Sequence, residues 1–192
     1  MDAKKKILTL PNILSMIRIA MIPVIVWLYC VEKHYGWAGS LLIVSGVTDV
    51  VDGLIARRFN MISDLGKMLD PIADKLTQST VLVCLLLRFP LMILPLVLMV
   101  LKETFMSVTG LLVIRRTGVV ISADWHGKAA TVLLYATMIV HMFWEDVSDA
   151  QSALLIGACV VMIAISFFLY GRDNVNALKQ EKAQREALAA DT

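Results

Sequence analysis

Six apolar runs, each long enough to cross a bilayer, follow one another along this chain, and the second and third carry aspartates at their adjoining ends. A helical span needs about 20 residues, at about 1.5 Å each, to cross roughly 30 Å of hydrocarbon. The runs cover residues 12–31, 36–57, 67–88, 91–114, 127–145 and 150–171. Lipid leaves the backbone no hydrogen-bonding partner but itself, which allows only helices or closed barrels. The runs lack the alternation of barrel strands, so the chain reads as an all-α polytopic membrane protein with six transmembrane helices. A content of 58% hydrophobic residues fits this class. Soluble domains hold about 45 to 50%. No nucleic-acid partner is expected.

Lys and Arg accumulate on the cytoplasmic side of short loops, so their distribution sets the orientation. Lys4, Lys5 and Lys6 precede the first run, Arg57, Arg58 and Lys67 lie between the second and third, Arg115, Arg116 and Lys128 between the fourth and fifth, and Arg172, Lys179, Lys182 and Arg185 follow the sixth. The other side holds Lys33, Arg88 and the acidic stretch 145–149. Both termini are therefore expected in the cytoplasm. Residues 1–11 read as an interfacial segment with Pro11 in the first helical turn, where a missing N–H costs little. Residues 12–172 form the membrane domain, and 173–192 a charged cytoplasmic tail of helix-forming composition, frayed and solvated. The first run resembles a signal peptide, but Arg18 interrupts it and no small-residue cleavage site follows, so it is expected to be retained. The absence of an Arg- and Ser-rich transit peptide favours a bacterial plasma membrane.

A carboxylate inside a span costs about 2.5 to 3.5 kcal/mol, so several together need a compensating partner. Asp49 and Asp52 close the second run, and Asp70 and Asp74 open the third. At 100° per residue Asp49 and Asp52 project about 60° apart, with Gly53 and Ala56 on the same face. Asp70 and Asp74 are one turn apart, so four carboxylates can converge where the two helices meet. Oxygen donors of this kind suit Mg²⁺ or Mn²⁺, one ion or two. The plainer reading pairs the aspartates with Arg57, Arg58, Lys67 and Lys75. It is preferred for Asp64, in the connecting loop. Cys30, Cys84 and Cys159 have no spacing that suggests a disulfide framework or a zinc site, and read as small hydrophobes. His141 reads as a packed residue in the fifth run, and His126 as part of the basic loop.

The pattern Asp49-x2-Asp52-Gly53-x2-Ala56-Arg57-x8-Gly66-x3-Asp70-x3-Asp74 resembles, at every position and gap, the signature of the CDP-alcohol phosphotransferases. The segment LPNILSMIR at residues 10–18 is similar to that family's entry to its first helix, and six spans is its usual number. The resemblance implies attack of an acceptor hydroxyl on a phosphorus of a CDP-linked donor, with CMP leaving. It implies that Asp49, Asp52 and Asp70 hold one or two divalent cations, while Asp74 adds a ligand or acts as the catalytic base. It assigns Asp52, Gly53, Ala56, Arg57 and Gly66 to the CDP site, and implies a homodimer.

The motif specifies the donor and leaves the alcohol open. Arg115, Arg116 and Lys128 stand on the expected cytoplasmic side and suit an anionic acceptor, although they serve equally as topology determinants. Residues 69–75 and the GKAAT at 127–131 resemble the phosphatidylglycerophosphate synthase branch, with CDP-diacylglycerol as donor and glycerol 3-phosphate as acceptor. Lys102 and Glu103 stand where that branch usually has Arg and Glu. The LYGRD at 169–173 is similar to cardiolipin synthases, which take phosphatidylglycerol; inositol phosphate and serine are further alternatives. An intramembrane prenyltransferase would need a second Asp-rich motif, and Glu145, Asp146 and Asp149 lie on the wrong side. A cation transporter would place its carboxylates nearer the midplane, usually in paired repeats.

Overall fold

The computed structural model describes residues 10–58, 64–117, 125–144 and 146–190. They form six α-helices: α1 (Leu10–Cys30), α2 (Tyr35–Arg58), α3 (Asp64–Leu86), α4 (Ile93–Thr117), α5 (Trp125–Phe143) and α6 (Asp149–Ala190), with a 3-10 turn at Pro90–Met92 before α4. No strand occurs among the described residues. Three stretches among them are long and apolar enough to cross a membrane: Asn12–Cys30, Pro90–Leu111 and Asp149–Asn176. Tyr35–Val51 is apolar but shorter. The second and third expected runs are weakened as spans by the charges at their adjoining ends, between Asp49 and Lys75.

Two expectations are corrected. Asp64 is the first residue of α3, not part of a loop. The tail is not frayed from residue 173, because α6 continues to Ala190 through a sequence rich in Ala, Lys, Gln and Glu, all strong helix formers. Residues 1–9 of the expected interfacial segment lie outside the described residues. Pro11 does stand in the first turn of α1.

The chain divides into two compact units: Met1–Met92 with Met138–Ser148, and Ile93–Thr137 with Asp149–Thr192. In the first unit α1 packs along both α2 and α3. Each of these helices buries one stripe at helical spacing: Asn12, Ser15, Arg18, Ile25 and Tyr29 on α1, Ala38, Leu42 and Ser45 on α2, and Ala73, Thr77, Val81 and Leu85 on α3. The small residues in these stripes let helices approach closely, which matters in lipid, where van der Waals contact replaces hydrophobic drive. The opposite face of α2 exposes Ile43, Val44, Val47, Val50 and Leu54. Apolar surface of that extent needs a lipid or protein cover.

At the end of the first unit that holds the α1–α2 turn, Tyr29 and Tyr35 meet edge to face at 4.9 Å, and the Arg88 guanidinium lies 4.2 Å from the Tyr35 ring centre. His141 is fully buried with its ring 4.7 Å from Phe89, the packed role its sequence context suggested. Cys30 and Cys84, 54 residues apart, bring their sulfurs to 3.7 Å. In the second unit α4 packs on α6, through Phe105 against Phe167 and an Asn174 amide that donates to Thr109 at 2.7 Å. All four tryptophans, Trp27, Trp37, Trp125 and Trp144, are about half exposed or more, at or near helix ends. Indole rings favour that position at a membrane–water boundary.

Candidate active site

The buried stripes of α2 and α3 run directly into the aspartates. On α2 the series Ala38, Leu42, Ser45 continues one turn on to Asp49, and on α3 Asp70 and Asp74 flank the buried Ala73. These carboxylates thus face protein, the usual placing of an ionisable group in an apolar helix. Asp70 and Asp74 both stand within electrostatic reach of Asp49. Pro71, which has no N–H to give, lies inside α3 between them.

The plainer reading pairs the aspartates with cations next to them in sequence; among the described residues Lys75 does stand beside Asp74, while Asp49 meets a cation from another helix. Arg18, fully buried on α1, places its Nη1 2.6 Å from Asp49 Oδ1. Ser15, one turn earlier on the same face, donates its hydroxyl to Asp70 Oδ1. The site is therefore bridged by α1, rather than formed only where α2 meets α3. Asp74 is held from its own helix: the Gln78 amide donates to both its oxygens at 2.9 Å, and Lys75 Nζ stands 3.6 Å from Oδ2. Sequence reasoning missed Ser15, Arg18 and Gln78 as partners. The one available signal was polar residues on one face of an apolar helix, at positions 12, 15 and 18.

The side chains of Asp52, Ala56, Arg57, Arg115 and Arg116, and the surroundings of Gly66, lie outside the described residues. Gly53 is half-buried on α2. Among the described residues no three His, Cys, Asp or Glu side chains come together closely enough to hold a metal ion. The donor chemistry of Asp49 and Asp70 nonetheless suits a hard cation, since each is engaged among the described residues through one oxygen. A cavity of about 310 Å³ lined by Lys33, His34, Tyr35, Trp37 and Phe143 lies at the opposite end of α2. The 14 helical rises from Tyr35 to Asp49 span about 21 Å at about 1.5 Å each, so this cavity is separate from the carboxylates.

A family model of CDP-alcohol phosphatidyltransferase matches residues 8–168. The chain belongs to that family. Membership places it among the membrane transferases of phospholipid biosynthesis. It is 33% identical over 189 residues to "CDP-diacylglycerol--glycerol-3-phosphate 3-phosphatidyltransferase" of Bacillus subtilis, covering 88% of this chain and 97% of that one. It is 43% identical over 140 residues to "Cardiolipin synthase (CMP-forming)" of Streptomyces coelicolor, covering 68% of this chain and 64% of the relative's length. With the Rickettsia bellii protein named as the Bacillus one is, it shares 41% identity over 100 residues, 51% of this chain and 55% of that one.

Within this phosphatidyltransferase, the cationic residues considered for the acceptor belong to the second unit. Lys128 is exposed on α5. Lys102 is buried, 3.3 Å from Glu103 and facing the Tyr170 ring at 5.9 Å. His126 does not lie in a loop: it is in the first turn of α5, buried, with its ring 4.7 Å from that of Tyr170 and Nδ1 3.4 Å from Ser166 Oγ.

Proposed function

We propose that the chain transfers the phosphatidyl group of CDP-diacylglycerol to a hydroxyl of glycerol 3-phosphate, forming phosphatidylglycerophosphate and releasing CMP. The observation that carries the acceptor is the Bacillus relative, matched over 97% of its length and named for that reaction. The acceptor oxygen forms a bond to the phosphatidyl phosphorus, the bond from that phosphorus to the oxygen of the CMP phosphate breaks, and the hydroxyl proton passes to a carboxylate. Asp74 fills the base role, since Gln78 fixes both its oxygens and so sets its direction. Asp49, Asp52 and Asp70, with Asp74 as a further ligand, are the residues to hold one or two Mg²⁺ or Mn²⁺ ions. Such ions, when bound, stabilise charge on the attacking and leaving oxygens.

Gly53, Ala56 and Gly66 offer little side chain to obstruct a nucleotide, and Arg57 brings a planar fork suited to its diphosphate. Arg115, Arg116 and Lys128 supply positive charge for the acceptor phosphate. The charge pattern supports six spans in a bacterial plasma membrane with both termini and the aspartates at the cytoplasmic face. That position leaves acyl chains in lipid while the head group meets water. A homodimer is the assembly the family resemblance implies. A second reading, cardiolipin synthesis with phosphatidylglycerol as acceptor, is favoured by the 43% identity to the Streptomyces protein.

Turnover of the purified protein with CDP-diacylglycerol and Mg²⁺ separates the readings. CMP release is expected with glycerol 3-phosphate, and not with phosphatidylglycerol, inositol phosphate or serine. Release with phosphatidylglycerol alone would replace the first reading by the second. Asp49→Asn and Asp70→Asn should each abolish CMP release, Asp70→Asn with expression and helicity intact, and full activity in either would sink the metal assignment.

A further inference from the structure

We infer that Ser15 and Arg18 are positioning residues that orient two metal-ligating carboxylates from a helix carrying none of the eight motif positions. The inference rests on the proposed metal role of Asp49 and Asp70. Asn12, Ser15 and Arg18 fall three residues apart on α1, so each lies about 60° from the next and all share one face. Their exposures are 3%, 0% and 0%. A guanidinium is costly to bury in an apolar helix unless it is paired, and its partner here is Asp49 on α2. The Ser15 hydroxyl, which packs as easily as a methyl group, reaches across to Asp70 on α3.

The two contacts share a geometry. Each engages one oxygen of its carboxylate among the described residues. A ligating carboxylate held this way presents one oxygen in a fixed direction. Loss of such an outer contact typically lowers metal affinity about 10- to 100-fold. Because α1 packs along both α2 and α3, one rigid element sets the direction of both carboxylates. Gln78 does not share the geometry, since it occupies both oxygens of Asp74.

The test uses Ser15→Ala and Arg18→Lys, which keep the charge around the aspartates unchanged, so that altered affinity reports direction rather than field. Mn²⁺ binding to the full-length protein in detergent is read without substrate, from the electron paramagnetic resonance signal of free Mn²⁺. The Mg²⁺ concentration for half-maximal CMP release is measured beside it. Ser15→Ala is expected to weaken Mn²⁺ binding about 10-fold, with a matching rise in the Mg²⁺ requirement and near-normal turnover at saturating metal. Ser15→Thr, which returns the hydroxyl, should restore affinity. Arg18→Lys should weaken binding as well, because an ammonium on a flexible stem is a point charge that does not hold the carboxylate in one direction. If the wild-type chain binds Mn²⁺ and Ser15→Ala binds it equally well, the inference is overturned while the proposed function stands. If the wild-type chain binds no Mn²⁺, the metal role fails and this inference fails with it.

Discussion

Two glycines face aromatic rings at clashing distances, and their surroundings give opposite expectations for the same substitution. A Cβ at Gly127 on α5 would stand 2.5 Å from the Tyr170 hydroxyl and 3.1 and 3.2 Å from two of its ring carbons. Tyr170 is 3% exposed and packed against the buried His126, so the ring has little room to withdraw. Overpacking of this kind costs about 1 to 3 kcal/mol. For a chain this size that is roughly 2 to 12 °C in melting temperature, at ~2 to 4 °C per kcal/mol. A Cβ at Gly39 on α2 would come as close, 2.6 Å, to Phe143. Phe143, however, ends α5 with 46% of its surface exposed, so its ring can swing outward. The better helix propensity of Ala, up to about 1 kcal/mol, then offsets what remains. Gly127→Ala should melt several degrees lower by fluorescence-detected size exclusion after heating, and Gly39→Ala within about 2 °C of the parent, the range of a change near 0.5 kcal/mol. Since the closest atom at Gly127 is the hydroxyl oxygen, Tyr170→Phe should recover most of the loss, a coupling readable in a double-mutant cycle. Equal shifts for the two glycines, or no coupling to Tyr170, would refute the reasoning.

Two further expectations concern packing and the acceptor. Mild oxidation of membranes with a copper–phenanthroline complex should join Cys30 to Cys84, each thiol losing a proton and an electron to the oxidant. A disulfide-linked peptide seen by mass spectrometry, and absent from Cys30→Ser, would establish the pairing of α1 with α3, whereas failure to form it would contradict the 3.7 Å approach. Replacing Arg115, Arg116 and Lys128 together by Gln should raise KM for glycerol 3-phosphate about tenfold or more and leave KM for CDP-diacylglycerol near its parent value, since a charge-assisted contact contributes about 1.5 to 3 kcal/mol. An unchanged KM for glycerol 3-phosphate would return these residues to a purely topological role.

Every expected apolar run corresponds to a helix, and their order along the chain was legible because helix formation in lipid depends on local composition and backbone self-sufficiency. Asp49, Asp70 and Asp74 continue the 3.6-residue period of the buried stripes behind them, whereas among the described residues no three acidic side chains close on one point as the expected convergence would have them. Where the period gave no signal, reading failed. His126 looked like part of a basic loop because Lys128 is near it, yet Tyr170 and Ser166, on a helix 40 and more residues away, bury it. The tail, read as helix-forming in composition but frayed, continues α6 to Ala190.

What the sequence determined by itself is the all-helical membrane class, the alignment of the carboxylates with the buried helix faces and, through eight spaced residues, the family. What only the tertiary structure decided is which groups meet Asp49 and Asp70. Arg18 reaches Asp49 across 31 residues and Ser15 reaches Asp70 across 55. Such separations leave no periodic trace. They are settled by the packing of α1 against α2 and α3, where a buried charge and a buried hydroxyl find partners on neighbouring helices.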